Sequence, residues 1–208
     1  MRLPNTAHTS RPWRIHEFTR DFELEDVWEL PCAGAQEDFS ELVAMFTSQD
    51  ASQSSSHPAR ALFAIRWKLG ELLGWDDADD GLGARVPAVS GRLPAELRTR
   101  RGPAFDALPF TSLYLLDDEF AAELANRTVH GVVHLGWVPD GSGRFRGQMA
   151  VLVKPNGLLG RAYMIAIRPF RHLIVYPALL RNWERAWRER AAVRPPVVDP
   201  GALSPERS

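Results

Sequence analysis

The chain has 208 residues, 45% of them hydrophobic and 25% charged, with a formal net charge of −1. These values are typical of one globular domain with a sizeable core, and they exclude a dedicated nucleic-acid binder, which needs a basic excess to neutralise phosphates. The single cysteine, Cys32, excludes an intrachain disulfide and a cysteine-type zinc site.

The sequence also predicts where the protein resides. Its start, MRLPNTAHTSRPWR, contains no apolar stretch of the signal-peptide type. The longest apolar-rich run, residues 162–180, is interrupted by Arg168, Pro169, Arg171 and His172, and is therefore too polar to span a membrane. We expect a cytoplasmic protein with no integral membrane insertion.

The first quarter of the chain is predicted to pass from a tail into mixed structure. Residues 1–12 lack periodicity and are expected to form a flexible tail ahead of a single domain at 13–192. Partial alternation over 14–24 predicts a first strand, and EDVWEL after it predicts a helix-like turn closed by Pro31. Apolar residues at helical spacing predict a short amphipathic helix over 37–46.

A second amphipathic helix is predicted over 59–73, after a serine-rich loop at 48–58. The acidic and then Arg-, Pro- and Gly-rich stretch 76–109 is a long connection with one short helix predicted at 94–98. Connections of this length in compact domains are often lids or mobile segments, but the sequence does not fix a role for this one.

From residue 110 the hydrophobic pattern changes to a period of two. Short turn signals separate four runs, so the pattern predicts an antiparallel meander. The four predicted strands are 110–116, 120–125, 128–138 and 144–154.

The remainder is predicted to be helical. Residues 158–192 are amphipathic, with a break or kink expected near Pro169 and near Pro177. The Pro-rich end, 193–208, is predicted to be a disordered tail.

The third and fourth meander strands form a predicted hairpin whose register follows from pairing Val138 with Arg144. Trp137 then faces Phe145 and Val133 faces Met149, which makes one face almost wholly apolar. We expect this apolar face to meet the core or a cavity. His130 and His134 fall on the other, more polar face, which is predicted to be solvated or, alternatively, to line a site or a partner surface.

The two histidines in TVHGVVHLGW raise the question of a metal site. On a strand they lie about 13 Å apart, at roughly 3.3 Å per residue, so they cannot hold one ion directly. Gly131 also occupies the position at which the helical zinc-protease motif has a glutamate. We therefore expect no metal and no cofactor.

Two further groups of polar residues are candidates for binding or catalysis. Glu123 alternates with apolar neighbours; an inward position would make it a candidate general base, but the alternation favours an outward one. Arg168, Arg171 and His172 surround a proline in the last helical segment and are candidate contacts for a ligand carboxylate or phosphate, although exposure or pairing with acids is the ordinary role of such residues.

The order of elements resembles the helix-grip fold of the START-like (SRPBCC) superfamily, which includes polyketide cyclases and lipid-transfer domains. Locally, NRTVHGVVHLGWV, GQMAVLVKPNGLLGRAYM and IRPFRHLIVYPALLRNWERAW are similar to a bacterial START-like family known only as a domain of unknown function. The resemblance covers about 14–190. It implies an α+β fold in which a curved antiparallel sheet wraps a long C-terminal helix, with an apolar cavity between them.

The leading hypothesis is binding of a small hydrophobic molecule (lipid-, polyketide- or aromatic-like) in that cavity. The predicted walls are Trp67, Val133, Trp137, Phe145, Met149, Val151, Tyr163, Phe170 and Ile174. One alternative is a cyclase/dehydrase-type enzyme that uses His130, His134 or Glu123 with Arg146. A second alternative is a protein-interaction module whose partner surface is the histidine/arginine face. A homodimer is compatible with the sequence, and the ligand's identity is left open.

Overall fold

The structure, a computed structural model, describes residues 1–48, 86–106, 108–126 and 128–193. The predicted helix at 59–73, the serine-rich loop, the start of the long connection and the tail beyond residue 193 lie outside the described residues. Within the described residues, no helix is long and apolar enough to cross a membrane.

The described elements form an α+β arrangement of six antiparallel strands and a long C-terminal helical run. In chain order the strands are β1 (Arg2–Leu3), β2 (Glu23–Gly34), β3 (Thr111–Leu115), β4 (Glu119–Ala125), β5 (Val129–Pro139) and β6 (Phe145–Pro155). They form one sheet in the order β1-β2-β6-β5-β4-β3.

Short helices precede and follow β2, and a long helical run closes the chain. The helices are α1 (Thr6–Thr9), α2 (Ile15–Phe18), α3 (Phe39–Thr47), α4 (Ala95–Arg98), α5 (Gly157–Phe170) and α6 (Tyr176–Val193). Two 3-10 turns, Gln36–Asp38 and Val89–Arg92, precede α3 and α4, and a π-helical segment, Arg171–Val175, joins α5 to α6.

The prediction for the start of the domain is wrong. The stretch predicted as the first strand contains α2, and the stretch predicted as a helix-like turn lies inside β2. Trp28, Leu30 and Cys32 alternate along β2 and are buried in one core cluster. The β2–β6 register shifts between Glu29 and Ala33, so the ladder is interrupted there. Pro31, which has no backbone N–H, can occupy this position without loss of a hydrogen bond between the strands.

The meander, the helix after β2 and the short helix in the connection are confirmed, with one correction to the hairpin register. Pro139 pairs with Phe145 and Trp137 with Gly147, so β6 is shifted by two residues from the predicted pairing. Gly141 and Gly143, both with φ of +85°, shape the loop between the strands. Because the shift is even, every side chain keeps its predicted face.

The front face of the sheet, defined as the one that contacts α6, carries the larger aromatic cluster. Its strand residues include Trp28, Phe120, Leu135, Trp137 and Met149. Three aromatic side chains of α6, namely Tyr176, Trp183 and Trp187, are buried against them. The prediction that the Trp137 face meets the core is confirmed.

The back face, which carries His130 and His134, is not solvated as predicted. Residues 1–22 and 86–98 lie across it. Trp13, Ile15 and Phe18 from the first segment and Val89 and Leu97 from the second join a second buried cluster there. The first twelve residues are therefore packed: β1 pairs with β2, and the His8 side chain in α1 is fully buried.

The irregularity expected in the C-terminal helix takes a specific form. Pro169 lies inside α5 and Pro177 is the second residue of α6, and the π-helical segment falls between them. A proline has no N–H and cannot donate to the carbonyl of the residue four positions earlier, so Pro169 and Pro177 each remove one α-helical hydrogen bond. The segment between them can therefore adopt the π-helical pattern. Segments of π-helix occur frequently at functional sites.

Candidate functional site

Among the described residues, the front face is filled at one end and only partly covered at the other. Val151, Gly131 and Leu124 lie on this face in central strands, yet each is only partly buried. A Cβ atom added to Gly131 would meet, among the described residues, only the carbonyl oxygens of Leu124 and Leu152, at 3.9 and 4.0 Å. At Gly147, toward the filled end, an added Cβ would meet Leu30 and Leu42 at 3.0 Å.

Helix α5 is held at its two ends by different parts of the sheet. Near its start, Gly160 lies against the backbone carbonyl of Thr128, so close that no side chain fits there. Just beyond its end, Arg171 reaches acidic side chains of β2. Between these two anchors Met164 is buried, whereas Tyr163 and Ile167 are only partly buried. The part of α5 between the two anchors is therefore only partly packed.

Asp26 on β2 is the centre of a polar cluster at the edge of this open region. Its side chain is fully buried, and three side chains from the C-terminal helical run donate hydrogen bonds to it. His172 Nε2 lies 2.6 Å from Oδ1, while Arg171 Nη2 and the Tyr176 hydroxyl lie 2.9 and 3.1 Å from Oδ2. Arg2, from β1, approaches Oδ1 at 3.5 Å.

Two departures from regular structure bring these groups together. The register of β2 against β6 shifts between Leu24 and Asp26, a β-bulge that places Asp26 on the front face directly opposite Val151. The π-helical segment supplies both Arg171 and His172. Bulges and π-segments each sacrifice regular hydrogen bonding, and both recur at functional sites.

The charges in this cluster are paired. Arg171 also contacts Glu25 at 3.1 Å, so its guanidinium lies between two carboxylates. Burial, with Asp26 beside it, raises the pKa of Tyr176, so its hydroxyl remains a donor. The Trp28 ring packs against Tyr176 and His172, with ring centroids 4.8 and 6.2 Å away, and gives the cluster an aromatic wall.

On the back face, each predicted histidine binds its own carboxylate. His130 Nε2 lies 2.9 Å from Glu123, which also accepts the backbone N–H groups of Val89 and Ser90. Burial alone would raise the pKa of Glu123, but the bonds from His130, Val89 and Ser90 hold it below its ordinary value.

His134 belongs to a longer buried chain of polar groups. Its Nε2 lies 3.1 Å from Glu119, and its Nδ1 lies 3.1 Å from Nε2 of His8. Glu119 also accepts the backbone N–H groups of Arg14 and Ile15 and the hydroxyl of Tyr114. Burial opposes the ionisation of Glu119, yet the contact with His134 and the bonds from Tyr114 and Arg14 lower its pKa overall.

The structure separates the residues that were candidates for catalysis. His130, His134 and Glu123 lie on the back face, with the sheet between them and α6; Glu123 is buried because that face is covered, not outward in solvent as expected. Arg146 forms a partly exposed ion pair with Glu29. These four residues therefore do not come together between the sheet and α6.

The candidate ligand and anion contacts fall into several environments. Val133, Trp137 and Met149 are buried on the front face, Phe145, Val151, Tyr163 and Ile174 are partly buried, and Phe170 is 48% exposed. Trp67 lies outside the described residues. Arg168 is exposed, whereas Arg171 and His172 bind acidic side chains of β2.

The residue at the centre of the site, Asp26, was not predicted. Its segment was interpreted as a helical turn, which hid the alternation that makes Asp26 the one acid among inward residues of β2. Glu119 was missed because it belongs to a DDE turn signal, and His8 because it precedes the first periodic segment. An acid at an inward strand position is the signal that would have identified Asp26.

A family model described as a protein of unknown function (DUF2867) matches residues 18–178. No curated protein matches the chain, and no solved structure matches it.

Proposed function

The chain belongs to the protein family of unknown function DUF2867. Because this family assignment specifies no activity, the function must be argued from the structure. We propose that the protein binds a small hydrophobic molecule between the front face of its sheet and helix α5. The observation that carries the proposal is the partly open region of the front face at Gly131, Val151 and Leu124. Central-strand positions of a two-layer fold are ordinarily covered by side chains from the other layer.

A START-like, helix-grip relationship is part of this proposal. Its support is an antiparallel sheet followed by one long C-terminal helical run that crosses the front face. Ligand sites are mostly apolar concave surfaces with a few polar groups that fix orientation. The open region has this composition, with valine, leucine and glycine on the strands and the Asp26 cluster at its edge.

The division of the helical run also supports the proposal. In α6 the aromatic side chains Trp183 and Trp187 are buried against the sheet, as in an ordinary core. In contrast, α5 and the π-segment expose Ile165 and Leu173, at 75% and 76%, and bury little of their length. The α6 half of the helical run therefore contributes most of its packing stability. The α5 half contributes less packing and is available for ligand binding.

The two alternatives raised by the sequence have less support. An enzyme using His130, His134 and Glu123 would require a cavity on the back face, where residues 1–22 and 86–98 pack instead. A partner surface on that face would require the two histidines to be exposed, and both are buried.

The test is binding of N-phenyl-1-naphthylamine, a neutral apolar dye whose fluorescence rises in apolar surroundings. We expect saturable binding to the wild-type protein. Gly131→Val should weaken it about tenfold, equivalent to about 1.4 kcal/mol, because the added side chain occupies the open region. The backbone at Gly131 does not have a positive φ, so valine introduces no backbone strain there.

Gly91→Val is the matched control. An added Cβ at Gly91 meets nothing within 4 Å among the described residues, and this residue lies in the segment that covers the back face. The control should bind the dye as the wild type does. Equal affinities for wild type and Gly131→Val, or no saturable binding at all, would contradict the proposed function. Native mass spectrometry of protein purified from its own host would then identify the natural ligand.

A further inference from the structure

We propose that His172, held by Asp26, accepts a hydrogen bond from a hydroxyl group of the bound molecule, so that the ligand is an apolar alcohol or phenol. This inference rests on the proposed function, because it assigns the polar end of the same site. It names the chemical class of the ligand and the atom that recognises it, the Nδ1 atom of His172.

The first step is that the Asp26 cluster borders the open region. Asp26 pairs with Val151 across the β2–β6 ladder, and Val151 pairs with Val133 across the β6–β5 ladder. Side chains at directly opposed positions of an antiparallel pair lie about 4.5–5.5 Å apart at Cβ. A ligand lying over Val151 would therefore have Asp26 and its partners as its nearest polar neighbours.

The second step is that Asp26 determines the tautomer of His172. Its Oδ1 lies 2.6 Å from Nε2, and an ionised carboxylate only accepts hydrogen bonds, so Nε2 must carry the proton. In a neutral imidazole the other nitrogen, Nδ1, is then an acceptor. The His172 side chain is 20% exposed, and among the described residues no group donates to Nδ1.

The third step is that the surrounding groups hold Asp26 in place, although Nε of Arg171 is buried without a hydrogen-bond partner among the described residues. Arg171 and Tyr176 both donate to Oδ2, whereas the imidazole lies against Oδ1, which Arg2 approaches only at 3.5 Å. The rings of Tyr176 and Trp28 pack on His172 and restrict its rotation. Arg171 and Tyr176 are thus positioning residues, and Nδ1 of His172 is the acceptor left for a ligand.

The fourth step decides between a hydroxylated ligand and an anionic one. Arg171 and Arg2 are balanced by Glu25 and Asp26, so the described cluster offers no excess positive charge. A carboxylate or phosphate would meet a lone pair on Nδ1 and an already neutralised guanidinium. A neutral O–H donor satisfies Nδ1 without burying another charge.

The experiment compares two ligands with the same apolar body, 4-octylphenol and its methyl ether. Each is measured as a displacer of N-phenyl-1-naphthylamine at about pH 8, above the ordinary pKa range of histidine side chains. A net hydrogen bond contributes roughly 0.5–1.5 kcal/mol, so wild type should bind the phenol about 2–12 times more tightly than the ether. His172→Phe should remove this preference while still binding the ether. His16→Phe, the same change at a partly buried histidine on the back face, should keep it.

Asp26→Asn supplies a second variant with a distinct outcome. An asparagine can donate to Nε2, which moves the imidazole proton to Nδ1 and converts the acceptor into a donor. The preference for the phenol should then disappear or reverse. If this variant does not fold, the tautomer is measured in wild type by ¹⁵N NMR of His172, for which protonated Nε2 is expected.

The failures are distinguishable. If wild type binds neither compound, the proposed function fails. If it binds phenol and ether equally, or if His172 carries its proton on Nδ1, the hydroxyl inference is overturned while binding in the open region stands. If His16→Phe removes the preference as His172→Phe does, the effect is general destabilisation, and the inference is likewise overturned.

Discussion

The two faces of the sheet differ in the partners of their buried carboxylates. On the back face, Glu119 and Glu123 are sealed beneath the covering segments and bind the backbone N–H groups of those same segments. On the front face, Asp26 is equally buried, but its partners lie beside a region that is not filled. A buried carboxylate with backbone partners fastens a chain segment, whereas one with side-chain partners beside an opening can serve a ligand.

This comparison assigns His130 and His134 a structural role. Each lies between a carboxylate and the apolar residues of the covering segments, and neither is exposed. Removing a buried group that satisfies several donors costs more than the bond itself contributes, because the donors are left without partners. Mutations of polar groups on the back face should therefore lower the free energy of unfolding. Mutations in the Asp26 cluster should instead change which ligands the protein prefers.

The largest expected effect is on the back face. Glu119→Ala should lower the free energy of unfolding by roughly 5 kcal/mol, because it leaves the N–H groups of Arg14 and Ile15 and the Tyr114 hydroxyl without their acceptor and removes the ion contact with His134. Urea denaturation followed by tryptophan fluorescence measures the change. Asp117→Ala, at an exposed position in the adjacent turn, is the control and should change stability by less than about 0.5 kcal/mol. A loss below about 1 kcal/mol for Glu119→Ala would contradict the fastening role.

The next effect compares the filled and open ends of the front face. Trp183→Ala should cost about 4 kcal/mol, because the ring is fully buried and meets Phe46 edge-on at 5.4 Å. Val151→Ala, at a partly buried position in the open region, should cost about 1 kcal/mol. Thermal or urea unfolding of the two variants gives both values. Similar losses at both positions would show that the open end is packed as tightly as the filled end.

Much of the fold could be predicted from periodicity. The meander from β3 to β6 has a period of two and short turn signals, and the faces of its last hairpin follow from the sequence even though the β6 register is shifted by two residues. The segment 14–34 could not be predicted correctly, because Pro31 and a run of acids mimic a helix end. Only the ladder with β6, formed about 120 residues later in the chain, makes this segment a strand.

The candidate site could be predicted only in part. The apolar front face follows from alternation, and Arg171 and His172 were identified as polar groups in an apolar segment. Their partner Asp26 could not be found by local pattern, because the contact joins residues 146 positions apart and depends on a bulge and a π-segment. The covering of the back face was missed for the same reason: short helices such as α1 and α2 carry almost no periodic signal.

Acid should destabilise the back face through His8. Burial, followed by the neighbouring His134 and His16, lowers the pKa of His8 to about 2, whereas the ordinary value is 6.5. The unfolded chain therefore binds a proton at His8 below pH 6.5 and the folded chain does not, so stability is lost as the pH falls through this range. At about 1.4 kcal/mol per pH unit, the loss reaches about 2 kcal/mol at pH 5.

His8→Gln isolates this contribution, because glutamine keeps a polar group toward His134 but does not titrate. Its free energy of unfolding, measured in urea between pH 7.5 and 5, should fall less than that of wild type by about 2 kcal/mol. Parallel pH profiles for the two proteins would show that His8 is not buried in its neutral form, and the sealed description of the back face would be wrong.

The smallest effect concerns Arg146, which the sequence suggested as catalytic machinery. Its ion pair with Glu29 is partly exposed at both side chains, and such pairs contribute about 0–1 kcal/mol. Arg146→Ala should therefore lower stability by less than about 1 kcal/mol and leave dye affinity and the phenol preference unchanged. Glu29→Ala is the matched control, since it breaks the same pair from the other side. If Arg146→Ala alone altered ligand selection, the polar machinery would not be confined to the Asp26 cluster, and the contrast between the two faces would have to be redrawn.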